Sequence, residues 1–182
     1  MTTTAIGVDL VDVASFGEQL CQEGSVFHRV FTAREWNAAL RFAPEQGASS
    51  AGQFPSGHLQ TSAALPSTGP SAPELPTRAL HSLAARWAAK EAFIKAWSSL
   101  YYGREDPLKS ADIDWAQIEV VCDRWGRPAF RFHGQIASEL DKTQEELKAS
   151  LSWLLSLSHD GNYAIAWVSV NQTDLREAKE FS

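Results

Sequence analysis

The sequence predicts an α+β fold in which a small, mostly antiparallel sheet packs with one long central helix. Apolar side chains alternate with other residues in several short segments, which is typical of strands. Two pairs of these segments are joined by tight-turn residues, which indicates hairpins and therefore antiparallel pairing. Residues 77–100 contain no glycine or proline and are rich in alanine, which predicts the long helix.

The composition is that of a globular protein rather than a membrane protein or a nucleic-acid binder. The chain has 182 residues, 44% hydrophobic and 21% charged, with a formal net charge of -6. No apolar run is long enough to span a membrane, and no basic-then-apolar leader opens the sequence. We expect a cytoplasmic protein in which the two distant cysteines, Cys21 and Cys122, are buried reduced thiols.

The first predicted strand, residues 4–11, carries a carboxylate that needs an explanation. Strands disfavour aspartate, both by propensity and because burial desolvates the charge of Asp9. Asp12 is the better N-cap for the helix predicted in residues 13–21. Asp9 therefore either closes the strand by accepting backbone N–H groups or binds a metal ion.

A second helix is predicted within residues 27–42, where Thr32 and Glu35 form a capping box. The side chains expected on its buried face are Trp36, Ala39 and Leu40. Three arginines lie on its exposed side or just before it: Arg29, Arg34 and Arg41. They form either an ordinary solvated surface or a docking face for an acidic partner.

Residues 44–76 differ in composition from the rest of the chain. Serine, alanine, glycine, proline and threonine dominate, and few large apolar residues occur. Such a segment cannot bury enough apolar surface to order itself. We predict a flexible, low-complexity insertion within a single domain that spans residues 1–182.

The central helix is followed by a predicted hairpin of strands 118–122 and 129–133, joined by the turn residues 123–128. A helix is then expected in residues 136–140. Thr143 begins a second apparent capping box, which predicts a further short helical turn.

The last predicted hairpin pairs residues 151–158 with residues 163–170. Asp160 and Gly161 between them are a strong tight-turn signal. The charged tail, residues 171–182, is expected to be frayed.

The central helix places a carboxylate on an otherwise apolar face. Steps of three and four residues along this face join Leu80, Ala84, Trp87, Glu91 and Ile94. A buried glutamate is costly unless it is paired or bound to a metal. Glu91 therefore either pairs with Lys95 at i,i+4 or belongs to a metal-assisted site for an anion such as a phosphate.

Five motifs occur in an order that resembles one known family. They are IGVDLV from Ile6, RVFT from Arg29, RWAAKEAFIKA from Arg86, WGRP from Trp125 and LSLSH from Leu155. Together they resemble the holo-acyl-carrier-protein synthases, the short, single-domain type of 4′-phosphopantetheinyl transferase. The resemblance covers most of the chain except residues 44–76 and the tail.

This resemblance implies a fold, an activity and partners. It implies the family's α+β transferase fold, in a homotrimer whose active site is built across the subunit interface. The implied reaction transfers 4′-phosphopantetheine from coenzyme A to a serine of apo-acyl carrier protein and releases 3′,5′-ADP, with Mg2+ as the cofactor. The carrier protein is thereby activated for fatty acid biosynthesis.

The resemblance also implies roles for individual residues. Asp9 and Glu91 match the family's two carboxylate positions and would be the catalytic residues and the Mg2+ ligands. Either a metal-bound water or Glu91 itself would take the serine proton. Coenzyme A would be held by residues at the family's basic, hairpin and histidine positions: Arg86, Lys90, Lys95, Gly126, Arg127, Pro128 and His159.

Some of these residues have an ordinary structural alternative. His159 is also explained as a turn histidine, and a plain tight turn needs Gly126 and Pro128 as well. The glycine-rich segment common after the family's central helix is replaced here by Ser98 and Ser99, whose hydroxyls would have to take over phosphate contacts. The alternative function is therefore a non-catalytic module that binds coenzyme A or a carrier protein.

Overall fold

The computed structural model describes residues 2–41 and 75–174, with side chains from residue 5 on. Within these residues the predicted α+β class is confirmed. The elements are strand β1 (Thr2–Asp12), helices α1 (Val13–Cys21), α2 (Ala33–Leu40) and α3 (Thr77–Ser99), strands β2 (Ile118–Cys122) and β3 (Pro128–Phe132), helix α4 (Gly134–Leu147), and strands β4 (Ala149–Asp160) and β5 (Tyr163–Asp174).

The sheet that supports the candidate site has three antiparallel strands in the order β1-β5-β4. Among the described strands, β1 and β4 are therefore the two edges, and β5 lies between them. In register, Asp9 of β1 lies opposite Ala166, and His159 of β4 lies opposite Ala164. The predicted hairpin of β2 and β3 forms a separate two-stranded sheet.

Helix α3 packs against β1 at short range because both surfaces carry small residues. The buried alanines of α3 are Ala79, Ala84, Ala85, Ala88, Ala89, Ala92 and Ala96. A Cβ added to Gly7 would lie 2.0 Å from the Ala92 carbonyl oxygen and 2.7 Å from the Ala96 nitrogen. Only glycine fits at that position, and this close approach brings the neighbouring strand residue Asp9 against α3.

Larger side chains fill the core beyond the alanine face. The Phe93 ring centroid lies 4.7 Å from the centroids of both Phe132 and Trp153. Trp97 is only 1% exposed, and its indole N–H donates to the Thr143 hydroxyl at 3.1 Å. These aromatic contacts join α3 to the hairpin of β2 and β3, to α4 and to β4.

The predicted starts of α1 and α2 are confirmed. Asp12 caps α1 by accepting the Ser15 N–H at 2.8 Å. Thr32 accepts the Glu35 N–H at 3.2 Å, and Glu35 accepts the Thr32 N–H at 2.8 Å, which completes the capping box. Since Asp12 caps the helix, Asp9 has no capping role in this part of the chain.

The prediction for the region around Thr143 is wrong. Residues 134–147 form one helix, α4, rather than a short helix followed by a new turn. The Thr143 hydroxyl donates to the Glu139 carbonyl at 2.8 Å inside this helix. Inside a helix, a threonine hydroxyl can donate a hydrogen bond to a carbonyl of the preceding turn. The sequence pattern around Thr143 therefore did not distinguish a helix cap from a helix interior.

The expected burial of three other side chains is also wrong. Cys21 and Cys122 are exposed, because they lie at the last positions of α1 and β2. Leu40, the last residue of α2, is 41% exposed. In addition, the first residues of the expected frayed tail belong to β5, which ends at Asp174.

The predicted insertion, residues 44–76, lies outside the described residues apart from Leu75 and Pro76, and so do residues 175–182. In the described part of the chain, no helix is both long and apolar enough to cross a membrane.

The face of the three-stranded sheet that points away from α3 carries large apolar side chains. Strand residues alternate between the two faces, so these side chains lie between the ones that pack on α3. Their exposed fractions lie between 38% and 60%, and they are Ile6, Val8, Leu10, Leu154, Tyr163, Ile165 and Trp167. We call this surface the outer sheet face. Exposed apolar surface of this extent indicates a protein contact.

Candidate active site

Asp9 points from the middle of β1 toward α3 as a nearly buried carboxylate. It is 9% exposed, and its Oδ1 accepts a hydrogen bond from the Lys95 ammonium at 2.6 Å. Lys95 Nζ also lies 3.4 Å from the Val8 carbonyl oxygen. Asp9 Oδ2 is buried and has no hydrogen-bond partner among the described residues. One oxygen of this carboxylate is therefore left for a ligand, since a buried acceptor without a partner costs free energy.

Glu91 lies beside Asp9 and one helical turn before Lys95. Burial, the negative charge of Asp9 and the hydrogen bond that a protonated Glu91 makes to Asp9 raise the pKa of Glu91 to about 7, and the Lys95 charge opposes this rise. Two adjacent carboxylates do not both ionise easily unless a cation offsets their repulsion. The i,i+4 ion pair between Glu91 and Lys95 that the sequence left open is replaced by the pair between Lys95 and Asp9.

The two carboxylates form a donor set of the kind that Mg2+ uses. The described residues contain no group of three or more histidine, cysteine, aspartate or glutamate side chains that could hold a metal ion. Mg2+, however, is often held by one or two carboxylates, with water and substrate phosphates as the other ligands. The free Asp9 oxygen and the raised pKa of Glu91 fit a cation between the two groups.

Arg86 is buried on α3 with only part of its hydrogen-bonding capacity used. It is 8% exposed, and its Nη1 donates to the Ser82 carbonyl oxygen at 3.0 Å and to the Ser82 hydroxyl. Its Nε has no hydrogen-bond partner in the described part of the chain. A guanidinium that lacks a carboxylate partner keeps its charge available for an anion such as a phosphate.

Lys90, in contrast, is used entirely inside the protein. It has no exposed side-chain surface, and its Nζ pairs with Glu35 Oε2 at 3.0 Å. It also donates to the carbonyl oxygens of Val30 and Trp115, each at 2.9 Å. Burial lowers the pKa of Lys90, and the Glu35 charge opposes this. Because an ammonium has three N–H donors, this arrangement contradicts the predicted contact between Lys90 and coenzyme A.

Glu35, expected only as part of a capping box, has a second role that the sequence did not indicate. Besides the Thr32 N–H and Lys90, it accepts the Val120 N–H through Oε1 at 3.0 Å. The capping box alone accounts for a glutamate at this position, so no local signal pointed to a lysine far along the chain. The ion pair joins α2 to α3 and lies outside the candidate site.

His159 lies within β4 rather than in the turn after it. Its side chain is exposed and makes a ring contact with His81 of α3, with the centroids 5.2 Å apart. No hydrogen bond to Asp160 or to a backbone carbonyl is present among the described residues, so the alternative of a turn-capping histidine has no support. His81 was not singled out from the sequence, because it belongs to none of the motifs.

The turn between β2 and β3 is held by Asp123. Its Oδ1 accepts the Trp125 and Arg127 N–H groups at 2.9 and 3.0 Å, and its Oδ2 accepts Arg127 Nε at 2.6 Å. Gly126 has a φ of 82°, which favours glycine, and Pro128 begins β3. These contacts explain the turn without a ligand, and they fix the exposed Arg127 guanidinium at its tip.

The last turn of α3 does not offer the serine hydroxyls that the sequence suggested for phosphate binding. The Ser98 hydroxyl donates to Asp106 at 2.5 Å, and the Ser99 hydroxyl donates to the Lys95 carbonyl oxygen at 2.8 Å. Both donors are therefore already used within the chain.

The structure brings Asp9, Glu91 and Lys95 together but keeps His159 apart from them. Asp9 lies on β1 and His159 lies on β4, the opposite edge of the described sheet, with β5 between them. A shallow pocket lies near Trp87, one helical turn before Glu91. Its lining is half apolar and half polar, with Val11, Phe16, Phe27 and Trp87 beside Asp12, Ser15 and Gln19.

Residues 5–168 match the family described as ACPS, the 4′-phosphopantetheinyl transferase superfamily. A holo-[acyl-carrier-protein] synthase of Corynebacterium efficiens is 39% identical over 162 residues, which is 89% of each chain. A holo-[acyl-carrier-protein] synthase of Mycobacterium tuberculosis is 35% identical over 166 residues, which is 91% of this chain and 95% of the relative.

Solved structures agree with these relatives. The ACPS–CoA complex of Chronobacterium ammoniagenes superposes with a TM-score of 0.68 at 34% identity and covers 93% of this chain and 97% of that chain. The acyl carrier protein synthase of Mycobacterium tuberculosis superposes with a TM-score of 0.57 at 28% identity and covers 94% of this chain and 100% of that chain.

Proposed function

The chain belongs to the 4′-phosphopantetheinyl transferase superfamily, and we propose that its own reaction is that of a holo-acyl-carrier-protein synthase. In this reaction the serine oxygen of apo-acyl carrier protein forms a bond to the phosphorus that carries the pantetheine arm. The bond from that phosphorus to the bridging oxygen breaks, and 3′,5′-ADP leaves. Because the nucleophile comes from the partner protein, the site needs no serine of its own.

The Asp9–Glu91 pair is the single observation that carries this proposal. It places two carboxylates side by side at positions where the strand and the helix would otherwise be apolar, and one Asp9 oxygen has no partner among the described residues. We assign both residues as ligands of Mg2+. When bound, the ion neutralises charge on the pyrophosphate of coenzyme A and aligns the reacting groups.

Glu91 is also one of two candidates for the acceptor of the serine proton, the other being a water held by the ion. The pKa of about 7 belongs to the metal-free site, because a bound cation favours the ionised form of the carboxyl groups around it. Lys95 holds Asp9 in place from one side, and its side chain is 54% exposed, so the ammonium is also accessible to a phosphate.

The phosphate contacts of coenzyme A are assigned to the remaining residues of the predicted set. These are Arg86 and Lys95 on α3, His159 on β4, and Gly126, Arg127 and Pro128 at the turn between β2 and β3. Lys90 is excluded from the set because its three donors are used inside the protein.

A homotrimer with a shared active site is part of the proposal. Asp9 and His159 lie on opposite edges of the described sheet, two strand spacings or about 10 Å apart. The strand order therefore allows coenzyme A to contact both within one chain or across two copies, and the shared site rests on the family resemblance. The outer sheet face supplies apolar surface for such an assembly.

Carrier protein docking is assigned to the surface next to the carboxylates. The shallow pocket at Phe16, Phe27 and Trp87 lies one helical turn from Glu91 along α3 and offers both apolar and polar surface to the carrier protein. Arg29 and Arg34 follow Phe27 in the sequence, and both are exposed. They provide positive charge for an acidic partner. A single transferase domain over residues 1–182 and a cytoplasmic location stay predictions.

The proposal is tested by transfer of labelled phosphopantetheine from coenzyme A to apo-acyl carrier protein. We expect Mg2+-dependent labelling of the carrier protein, with 3′,5′-ADP released in equal amount. Labelling must disappear when the acceptor serine is replaced by alanine, which serves as the control.

The alternative is a non-catalytic module that binds coenzyme A or the carrier protein. It is favoured by one observation, the engagement of the Ser98 and Ser99 hydroxyls within the chain. This function requires coenzyme A binding without 3′,5′-ADP release in the presence of Mg2+ and apo-acyl carrier protein. That outcome would replace the transferase proposal.

A further inference from the structure

Two histidines come together at one edge of the sheet, although sequence reasoning singled out only one of them. His81 lies in the second turn of α3, and His159 lies one residue before the end of β4. Their ring centroids are 5.2 Å apart, and the ring planes meet at 85°, an edge-to-face arrangement. The two histidines are far apart in the sequence and meet only when the chain folds. No local motif therefore indicates the pair.

Neither imidazole has a hydrogen-bond or ion-pair partner among the described residues. His159 is exposed and His81 is half-buried, so the pair can be reached from solvent. An imidazole has two ring nitrogens, and a histidine with a purely structural role usually engages at least one of them with a carbonyl or carboxylate. A single exposed histidine such as His28 carries no such meaning, but here two rings with free nitrogens meet at one place, so together they can bind one ligand.

The surrounding charges favour an anion. Arg78 precedes His81 by three residues, lies on the same side of α3 and is exposed. The first turn of α3 contains no acidic side chain. Asp160 follows His159, but successive strand side chains point to opposite faces, so its carboxylate points away from His81.

We propose that His81 is a second phosphate-binding residue, which grips the 3′-phosphate of coenzyme A together with His159 and so distinguishes coenzyme A from 3′-dephospho-coenzyme A. This assignment rests on the proposed function, because it takes His159 as a coenzyme A contact. The 3′-phosphate is a monoester with three unbridged oxygens, so it can accept hydrogen bonds from two different rings at once. Each phosphate of the pyrophosphate bridge offers fewer free oxygens.

Three variants separate binding from positioning. His81→Phe keeps an aromatic ring beside His159 but has no N–H donor, whereas His81→Ala removes both ring and donor. His28→Phe is the matched control, because His28 is an exposed histidine stacked on Trp36, with the centroids 5.9 Å apart, and has no part in the pair.

The dissociation constants of coenzyme A and 3′-dephospho-coenzyme A are measured by calorimetry for the full-length wild type and the variants. For His81→Phe we expect coenzyme A to bind about tenfold more weakly, because a hydrogen bond to a charged group is lost. Binding of 3′-dephospho-coenzyme A should stay within about twofold of wild type, and His28→Phe should bind both ligands like wild type.

Two outcomes overturn the assignment. Unchanged coenzyme A affinity in His81→Phe, or an equal loss with both ligands, would leave His81 no role in recognising the 3′-phosphate. If the wild type transfers phosphopantetheine normally, either result removes this assignment alone. A wild type that neither binds coenzyme A nor transfers the group overturns the proposed function together with it.

Discussion

At the residue scale, the most informative positions are two carboxylates in apolar surroundings. Asp9 and Glu91 were recognisable in the sequence because each is the wrong residue type for its place in a strand or a helix. Their adjacency was not recognisable, because it depends on how β1 and α3 pack. The structure supplies this contact and with it the raised pKa of Glu91.

Replacing Glu91 by glutamine tests its role in turnover. Glu91→Gln removes the charge and the proton acceptor but keeps the size of the side chain. We expect kcat for transfer to fall by about a hundredfold or more, with the melting temperature maintained. Glu139→Gln, in the exposed pair with Lys142, should keep wild-type turnover. Wild-type kcat in Glu91→Gln would contradict the assigned role.

The pKa of Glu91 predicts a pH dependence of stability. Its folded-state pKa of about 7 lies above the ordinary value of 4.5, so the folded protein holds this proton more tightly than the unfolded chain. The resulting stabilisation is complete below about pH 4.5 and is lost as the pH rises through about 7. Because Glu91 is half-exposed, solvent screening reduces the expected loss to about 1 kcal/mol.

This loss is measured by urea unfolding of wild type and Glu91→Gln at pH 5 and pH 8, without divalent ions. The free energy of unfolding of the wild type should fall more between the two pH values than that of the variant. Equal changes in the two proteins would mean that Glu91 titrates as in the unfolded chain.

At the element scale, the starts of helices were predictable and their long-range partners were not. Asp12 and the Thr32–Glu35 capping box act through neighbours in sequence, which a local pattern can reveal. Lys90 was assigned to the phosphates of coenzyme A because it matches a basic position of the family motif. Its pairing with Glu35 arises only when α2 folds onto α3, a contact that no periodicity encodes.

Lys90→Met tests the buried pair between α2 and α3. The change leaves the Glu35 charge buried without its counter-ion, so we expect the free energy of unfolding to fall by about 3–5 kcal/mol. Lys142→Met, which breaks the exposed pair with Glu139, should cost about 1 kcal/mol or less. Where Lys90→Met is folded, its coenzyme A affinity should equal that of wild type, and a selective loss of affinity would restore Lys90 to the binding site.

Gly7→Ala tests the close approach of β1 to α3. The added methyl group would lie 2.0 Å from the Ala92 carbonyl oxygen, so the strand and the helix must separate. We expect a loss of about 3 kcal/mol in the free energy of unfolding. Gly17→Ala is the control, because its methyl group meets only the flexible Leu80 side chain and it gains helix propensity. Equal stability of the two variants would contradict the tight fit at Gly7.

At the scale of the whole molecule, the fold was predictable and the assembly is not visible in one chain. Alternation, turn residues and the alanine-rich helix were enough to predict the α+β class. The side chains of the outer sheet face belong to the same alternating pattern. The sequence alone did not show which set is exposed and which set packs on α3. On β1 the larger apolar residues, Ile6, Val8 and Leu10, point outward, whereas small residues pack on α3. Alternation alone therefore did not show which face is buried.

Mixing two inactive variants tests the shared active site. Asp9→Ala and His159→Ala each remove residues from one edge of the sheet, so each homotrimer should be impaired. Unfolding and refolding them together should restore part of the transfer activity, because some mixed interfaces combine an intact Asp9 edge with an intact His159 edge. The control is a mixture of Asp9→Ala with Glu91→Ala, which damages the same edge and should restore nothing. Equal activity of both mixtures would mean that each chain holds a complete site.

The alanine face of α3 has a consequence for how this protein tolerates change. The separation of the two carboxylates is set by the thickness of the helix–strand contact, and that thickness is set by Gly7, Ala92 and Ala96. These residues carry no chemistry, yet a single added methyl group would alter the distance between Asp9 and Glu91. A mutational scan scored by turnover should therefore show intolerance along this face as strict as at the carboxylates. The distance between the two catalytic carboxylates therefore depends on the smallest side chains in the molecule.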